Sequence, residues 1–391
     1  MDGARTRGHP AALAAISAMI RGNASGAVLL VGPEGIGKTT LATDLAAGLL
    51  CTEPDLGRRP CGTCRACRLA FSGTHPDLHR LGPEGPGRQV VIGGPGSKVR
   101  GVRDLISELS LLPVEGGARV AIIEAAHRLN EDAQAALLKT LEEPPAGTTI
   151  VLCAAAEEPL LPTIRSRSAR LRLGPVGVRE IEAILADHGA ADPPTAARIA
   201  RFVDGRPGLA LAWAQDPEAL RERDAVGRAL LDLLGAGAGA SLTAIRALAA
   251  PSTVLAAVAI SNTPVTPTDR TQTAAAPAGQ RTDDDESIDR VEPARVPATE
   301  RRRAAEALIA VWSDVARDLA LCQRGLVGSV RDIARLDESV EAAARSDPGA
   351  VRDLLDRIGH AAVLIAGNVS PELVLDDLAL AWGRLEARAA A

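Results

Sequence analysis

Gly32-Pro33-Glu34-Gly35-Ile36-Gly37-Lys38-Thr39 has the spacing G-x-x-x-x-G-K-[ST]. Glycines at those intervals let backbone N–H groups converge on phosphate oxygens. The apolar run Val28-Leu29-Leu30-Val31 before it reads as a buried strand. Lys38 to Leu50, with Leu41, Leu45, Leu49 and Leu50 apolar, reads as a helix. A turn between the two aims a helix N-terminus at an anion. Lys38 would then neutralise β- and γ-phosphate charge, and Thr39 would ligate Mg²⁺. Gly32, Gly35, Gly37 and Thr40 complete the cradle. Lysine is rare in this chain: only Lys38, Lys98 and Lys139 occur among 44 basic residues. Where arginine serves almost everywhere, a surviving lysine marks a place for a compact ammonium.

Cleaving a nucleotide needs more than holding it. A neighbouring strand must offer an acid for the metal and a second carboxylate to orient water. The second buried strand ends Ile122-Ile123-Glu124-Ala125-Ala126-His127. Glu124 suits the metal. Ala125 stands where the base belongs, and an alanine accepts no proton. His127 is a substitute base on paper, although a lone histidine near a strand end is more often structural. The residues fit a site that grips ATP and breaks it poorly.

Cys51, Cys61, Cys64 and Cys67 follow the spacing C-x9-C-x2-C-x2-C. Four thiolates in one short segment suit tetrahedral Zn²⁺, and with no open ligand position the role would be structural. An iron–sulfur cluster is the main competitor, followed by free thiols or disulfides. Cys153, in a strand, and Cys322, on a helix face, read as small buried hydrophobes.

The rest of the chain must position these groups. It has 391 residues, 44 Lys+Arg against 49 Asp+Glu, and a net charge of −5. That charge argues against coating nucleic acid by bulk attraction. Aromatics are 1% with no tyrosine, which argues against a base-stacking surface for RNA recognition or single-strand binding. No apolar run reaches the roughly 18 residues of a membrane span. Arg5 and Arg7 precede the apolar stretch Ala11–Ile20, and Ala24-Ser25-Gly26-Ala27 resembles a cleavage site. Asp2 and Arg21 flank that stretch badly for a leader, and it reads better as a short Ala-rich helix in a cytoplasmic protein.

Further strands are expected at Val90-Val91-Ile92, Val120–Ile123, Ile150–Cys153 and Leu171-Arg172-Leu173. Helices are expected over 98–111 and 130–143, the latter stopped by Pro144-Pro145. Alternating strands and helices imply a parallel sheet. After Gly174-Pro175 the pattern is helical: three short segments over 178–232, then 240–260 and 300–385. Leu308, Val311, Trp312, Val315, Leu319 and Cys322 share one helical face. Residues 262–299, with the acidic run Asp283-Asp284-Asp285-Glu286, lack an aliphatic pattern and read as a disordered insertion.

Together these pieces resemble a known family. A phosphate loop, a four-cysteine insertion after its helix, Leu137-Leu138-Lys139-Thr140-Leu141-Glu142-Glu143-Pro144-Pro145 and Ser166-Arg167-Ser168 are similar to bacterial clamp-loader subunits, the AAA+ gamma/tau and delta-prime group of DNA polymerase III. The long motif also has a plain helical reading, with Lys139 pairing Glu142 or Glu143. The resemblance covers 1–235 well. It extends weakly to Gly367-Asn368-Val369-Ser370-Pro371-Glu372-Leu373, which is similar to the family's helical collar. It implies a multidomain α/β plus all-α protein. An AAA+ parallel-sheet domain with its zinc module (51–67) would occupy 1–174, a three-helix lid 175–235, and a helical collar 236–391.

The departures from the motor subunit point to the delta-prime type. The motor would have an Asp-Glu pair at Glu124-Ala125, a polar sensor at Cys153-Ala154-Ala155-Ala156, and a lid arginine where Gly208 stands. Arg206 is two residues away from that place. The resemblance then implies a stator with little or no ATPase of its own, an accessory subunit of a DNA-directed DNA polymerase. It would donate Arg167 as an arginine finger to a gamma/tau ATP site, although Arg167 also sits in an arginine-rich run with Arg165, Arg170 and Arg172. Its partners would be delta and gamma/tau in a hetero-pentameric ring, the sliding clamp and primer–template DNA, at the replisome on the nucleoid. A gamma/tau-type motor is the alternative, and a zinc-bearing P-loop kinase or DNA-repair protein a further one.

Overall fold

The computed structural model describes residues 1–22, 26–84, 89–115, 117–249, 255, 298–367 and 369–385. Most of the expected insertion, 262–297, lies outside the described residues, as do 24–25, 85–88, 250–254, 256–260 and Asn368. The chain divides into two compact units. One is Met1–His188 with Val203–Gly208; the other is Gly189–Phe202 with Leu209–Ala391.

The first unit is built on a five-stranded sheet. Its strands are β1 (Gly26–Val31), β2 (Leu78–Leu81), β3 (Arg119–Ile123), β4 (Thr148–Ala154) and β5 (Ser168–Arg172). They lie in the order β2-β3-β4-β1-β5, and every pairing is parallel. This is the α/β arrangement expected from the alternating pattern. β1 is apolar, and β3 and β4 are apolar after their first residues, Arg119 and Thr148-Thr149, because both sheet faces are covered. Val28, Leu30, Val120, Ile122, Val151 and Cys153 point to one side. There they meet α1 (Pro10–Arg21), α2 (Lys38–Leu50) and α3 (Arg65–Ser72). Leu29, Ala121, Ile123, Ile150 and Leu152 point to the other, against α4 (Val102–Leu109), α5 (Glu131–Glu142) and α6 (Pro162–Ser166). The period-two alternation of a strand places consecutive residues in two different cores. A further helix, α7 (Val178–Asp187), follows β5.

Two expectations need correction. Val90-Val91-Ile92 is not a strand: only Val90 makes an isolated parallel bridge, to Leu129. The carbonyls of Val91 and Ile92 instead accept the N–H groups of Val102 and Arg103 at 3.0 and 2.8 Å, and so satisfy the first turn of α4. The true edge strand is β2, Leu78-His79-Arg80-Leu81, whose polar centre gave no strand pattern. In addition, the helical stretch 178–232 contains four segments rather than three: α7, 193–202, 207–215 and 217–232.

The second unit is helical. Its longest described helix is Ala298–Gln323. That helix buries Leu308, Val311, Trp312, Val315 and Leu319, the face read from the sequence, while Cys322 at its end is half-buried. Trp312 meets Trp382 edge-to-face at 5.6 Å, and Trp382 Nε1 donates to Leu230 O at 2.7 Å. Among the described residues no helix is long and apolar enough to cross a membrane.

Candidate functional site

The phosphate loop connects β1 to α2. Gly35 and Gly37 have φ of +76° and +104°, values that side-chain-bearing residues rarely adopt. A Cβ at Gly32 would stand 2.6 Å from Leu173 O, so the loop start also needs glycine for close packing. Two outside groups hold the loop's shape. His9 Nε2 lies 2.9 Å from Ile36 O, and Gly208 N–H donates to Gly35 O at 2.9 Å. The Lys38 ammonium is buried and donates to Gly32 O at 2.6 Å and Pro33 O at 2.7 Å. Burial pulls its pKa below the ordinary lysine value, partly opposed by Cys153 and Glu34. Thr39 is half-buried beside it and Thr40 is exposed.

Across the sheet, Glu124 closes β3. Its Oε1 accepts from Arg80 Nε at 3.0 Å and Arg80 Nη2 at 2.6 Å. Arg80 stands in register with Ile122 on the neighbouring strand, which lets its side chain reach forward to Glu124. Arg80 had no sequence signal: it lies in a four-residue strand without periodicity. Ala125 follows with φ +51°, a left-handed conformation uncommon outside glycine. His127 Nδ1 accepts the Ala155 N–H at 3.1 Å. Burial, then Arg128, lowers its pKa, and an Nδ1 that accepts leaves the ring proton on Nε2. It is thus tied to the end of β4. Cys153 there is fully buried, and burial pushes its thiol up to about 12. Arg206 Nε donates to Val203 O at 3.1 Å within its own turn.

The four cysteines come together. Their sulfurs all lie within 4.8 Å of one another, with Cys51–Cys64 at 3.9 Å and Cys61–Cys67 at 4.0 Å. Those separations are too long for disulfides. They suit a tetrahedron with metal–sulfur bonds of about 2.3 Å, whose edges are about 3.8 Å. The N–H groups of Cys64, Cys67 and Glu53 point at Cys61, Cys64 and Cys51 sulfurs at 3.4, 3.3 and 3.5 Å. Burial raises the Cys64 thiol, but the N–H groups of Cys67 and Thr52 outweigh it and bring it down to about 6. Burial pushes Cys67 up. Four sulfurs this close cannot all be anionic without a cation, and the set could hold a metal such as zinc. It joins the end of α2, at Cys51, to the start of α3, at Cys64 and Cys67.

Arg167 ends α6, just before β5. Its Nη2 lies 2.7 Å from Glu142 Oε1, and its Nη1 donates to Thr163 O at 3.3 Å. The side chain is 37% exposed. Glu142 therefore pairs with Arg167 rather than with Lys139. The neighbouring Arg170 and Arg172 are engaged elsewhere, by Glu157 at 3.4 and 3.1 Å.

Residues 8–177 match the family described as DNA polymerase III, delta subunit. Over 141 residues the chain is 43% identical to DNA polymerase III subunit delta' of Pseudomonas aeruginosa, covering 36% of this chain and 40% of that one. Over 189 residues it is 36% identical to subunit delta' of Escherichia coli, covering 48% and 54%. This stretch is similar to the delta-prime subunits of DNA polymerase III. Subunit tau of Escherichia coli is also similar, 34% identical over 184 residues, 46% of this chain and 27% of that one. The chain thus spans about half, or less, of the length of these relatives.

Proposed function

We propose that the protein is a delta-prime-like subunit of a DNA polymerase III clamp loader, a ring member that lends Arg167 to a neighbouring gamma/tau ATP site. The observation that carries this reading is an asymmetry within one domain. The cation on Arg167 is reachable from solvent, while the chain's own pocket has Ala125 for a base and apolar Cys153-Ala154 for a sensor. An arginine supplied in trans stabilises charge on a transferring phosphoryl group, an effect on the order of 10³–10⁵ in GTPase examples. The donor itself hydrolyses nothing.

On this reading Gly32, Gly35, Gly37, Lys38, Thr39 and Thr40 hold a nucleotide's phosphates, and the pocket serves assembly rather than turnover. Cys51, Cys61, Cys64 and Cys67 hold a structural zinc with no open position. The segments 1–174, 175–235 and 236–391 serve as AAA+ domain, lid and collar. Delta, gamma/tau, the sliding clamp and primer–template DNA are the partners, in a cytoplasmic replisome.

Reconstitution tests it. The chain mixed with delta and gamma/tau should form a complex whose DNA-stimulated ATP hydrolysis falls with Arg167→Ala while assembly persists. Brisk turnover by the isolated chain, abolished by Lys38→Ala, would favour the gamma/tau-type motor instead.

A further inference from the structure

The nucleotide reading raises the question of what stands on the metal side of the pocket. A magnesium ion bound with a nucleotide usually rests on one or two carboxylates as well as on the phosphates. In this pocket the strand-end positions that face that side are Glu124 and Ala125. Ala125 offers no side-chain oxygen, and its carbonyl already accepts the Arg128 N–H at 2.8 Å. Glu124 is already paired with a guanidinium, its Oε1 accepting two hydrogen bonds from Arg80 at 3.0 and 2.6 Å.

That pair is sheltered, with side-chain exposures of 25% and 18%, so water screens it only partly. Arg80 is also fixed from behind. A Cβ placed on Gly73, the residue that ends α3, would lie 3.5 Å from Arg80 Nη1. The guanidinium thus sits at the C-terminal end of a helix, where a cation is favoured. β4 lies between the phosphate loop and Glu124: Leu30 pairs with Cys153, Ile123 pairs with Leu152, and Gly32 N–H donates to Ala154 O at 3.2 Å, so the loop and the Glu124 strand end flank the same end of β4. The donor set fits a magnesium ion poorly: Thr39 is neutral, and the charge of the one carboxylate is already offset by a protein cation that would repel a second one.

We propose that this pocket takes a nucleoside diphosphate without magnesium, with the Arg80–Glu124 pair standing where the metal would be. The inference rests on the nucleotide-binding reading above. Lys38, already among the loop carbonyls, and the loop N–H groups supply the positive potential for the β-phosphate. A γ-phosphate finds neither a metal nor a polar sensor, because Cys153 and Ala154 carry no suitable donor.

The test is a titration of the full chain with fluorescent N-methylanthraniloyl-ADP. It is run in magnesium-free buffer cleared over a chelating resin, and again with excess Mg²⁺. A strong chelator in the cuvette would attack the cysteine centre and is avoided. Affinity that is the same in both buffers is the expected result. Arg80→Gln, which frees Glu124, should make binding tighter with Mg²⁺ by about tenfold, a coupling typical of two ligands that favour each other. If wild-type affinity rises tenfold or so on adding Mg²⁺, the inference is overturned while the nucleotide reading stands. If ADP binds in neither buffer, the nucleotide reading falls and takes this one with it. Should Arg80→Gln fail to fold, the wild-type comparison decides alone.

Discussion

Arg167 and Glu142 form an ion pair at 2.7 Å, joining the end of α6 to the last residue of α5. A carboxylate at a helix C-terminus faces the negative end of the helix dipole, and Arg167 offsets that cost. Both side chains are well exposed, 37% and 49%, and exposed pairs of this kind contribute about 0.5 kcal/mol or less. Arg167→Ala should therefore leave the urea unfolding midpoint nearly unchanged. In the reconstituted complex it should lower ATP hydrolysis by a factor of a hundred or more, on the order of a lost arginine finger. A large stability loss with unaltered hydrolysis would make Arg167 a scaffold residue.

The cysteine cluster predicts one tightly bound zinc per chain, measured by elemental mass spectrometry on protein purified without added metal. Cys64→Ser removes one ligand and breaks the link between α2 and α3. It should lower stability by about 3 kcal/mol, the upper end of what a point substitution ordinarily costs. Brown protein with visible absorbance would identify an iron–sulfur cluster instead. Four thiols titrating freely with Ellman's reagent in the native protein would remove the metal altogether.

How much of this was legible beforehand follows from how local each signal is. The phosphate loop, β1, β3 and β4 rest on neighbouring residues: spaced glycines and continuous apolar runs. The cysteine spacing is likewise local, and its sulfurs do converge. β2 was hidden because its two central residues are polar and find distant partners. His79 Nδ1 lies 2.9 Å from Glu108 Oε2, and Arg80 reaches Glu124. Val90–Ile92 has the composition of a strand, yet α4 claims the carbonyls of Val91 and Ile92. Helical spacing offers Lys139 as a partner for Glu142 or Glu143, three or four residues away. The actual partner of Glu142 lies 25 positions on, and helical spacing carries no information about that.

His127 predicts a pH dependence. Its Nδ1 accepts the Ala155 N–H at 3.1 Å, with Arg128, Lys38 and Glu34 as its charged neighbours. Burial, followed by Arg128, lowers its pKa from the ordinary 6.5. The unfolded chain therefore binds this proton more readily than the folded one. The stability it contributes is full above the unfolded pKa and is lost as pH falls below it. Thermal midpoints should drop between about pH 7.5 and about pH 5.5, and His127→Gln, which keeps an acceptor for Ala155, should flatten that slope. An identical slope in the variant would place the titration elsewhere.

Gly227 predicts a reversal of the usual glycine rule. It lies inside the helix Pro217–Asp232, where replacing glycine by alanine normally stabilises by about 0.5–1 kcal/mol. A Cβ here would stand 1.2 Å from Arg335 Nη1 and 2.2 Å from its Cζ. The end of an arginine is flexible, but this one is 6% exposed and bound to Asp332, itself buried, at 2.6 Å. Moving the guanidinium leaves the Asp332 side chain with Arg198 at 3.3 Å and the Ala334 N–H at 3.2 Å. A buried carboxylate that loses its main partner is costly, and Gly227→Ala should destabilise by about 3 kcal/mol, read as a lower urea midpoint at constant slope. Arg335→Ala combined with Gly227→Ala should cost no more than Arg335→Ala alone, since the cation is lost either way. A more stable Gly227→Ala protein would mean that Arg335 leaves without penalty and that helix propensity governs this face.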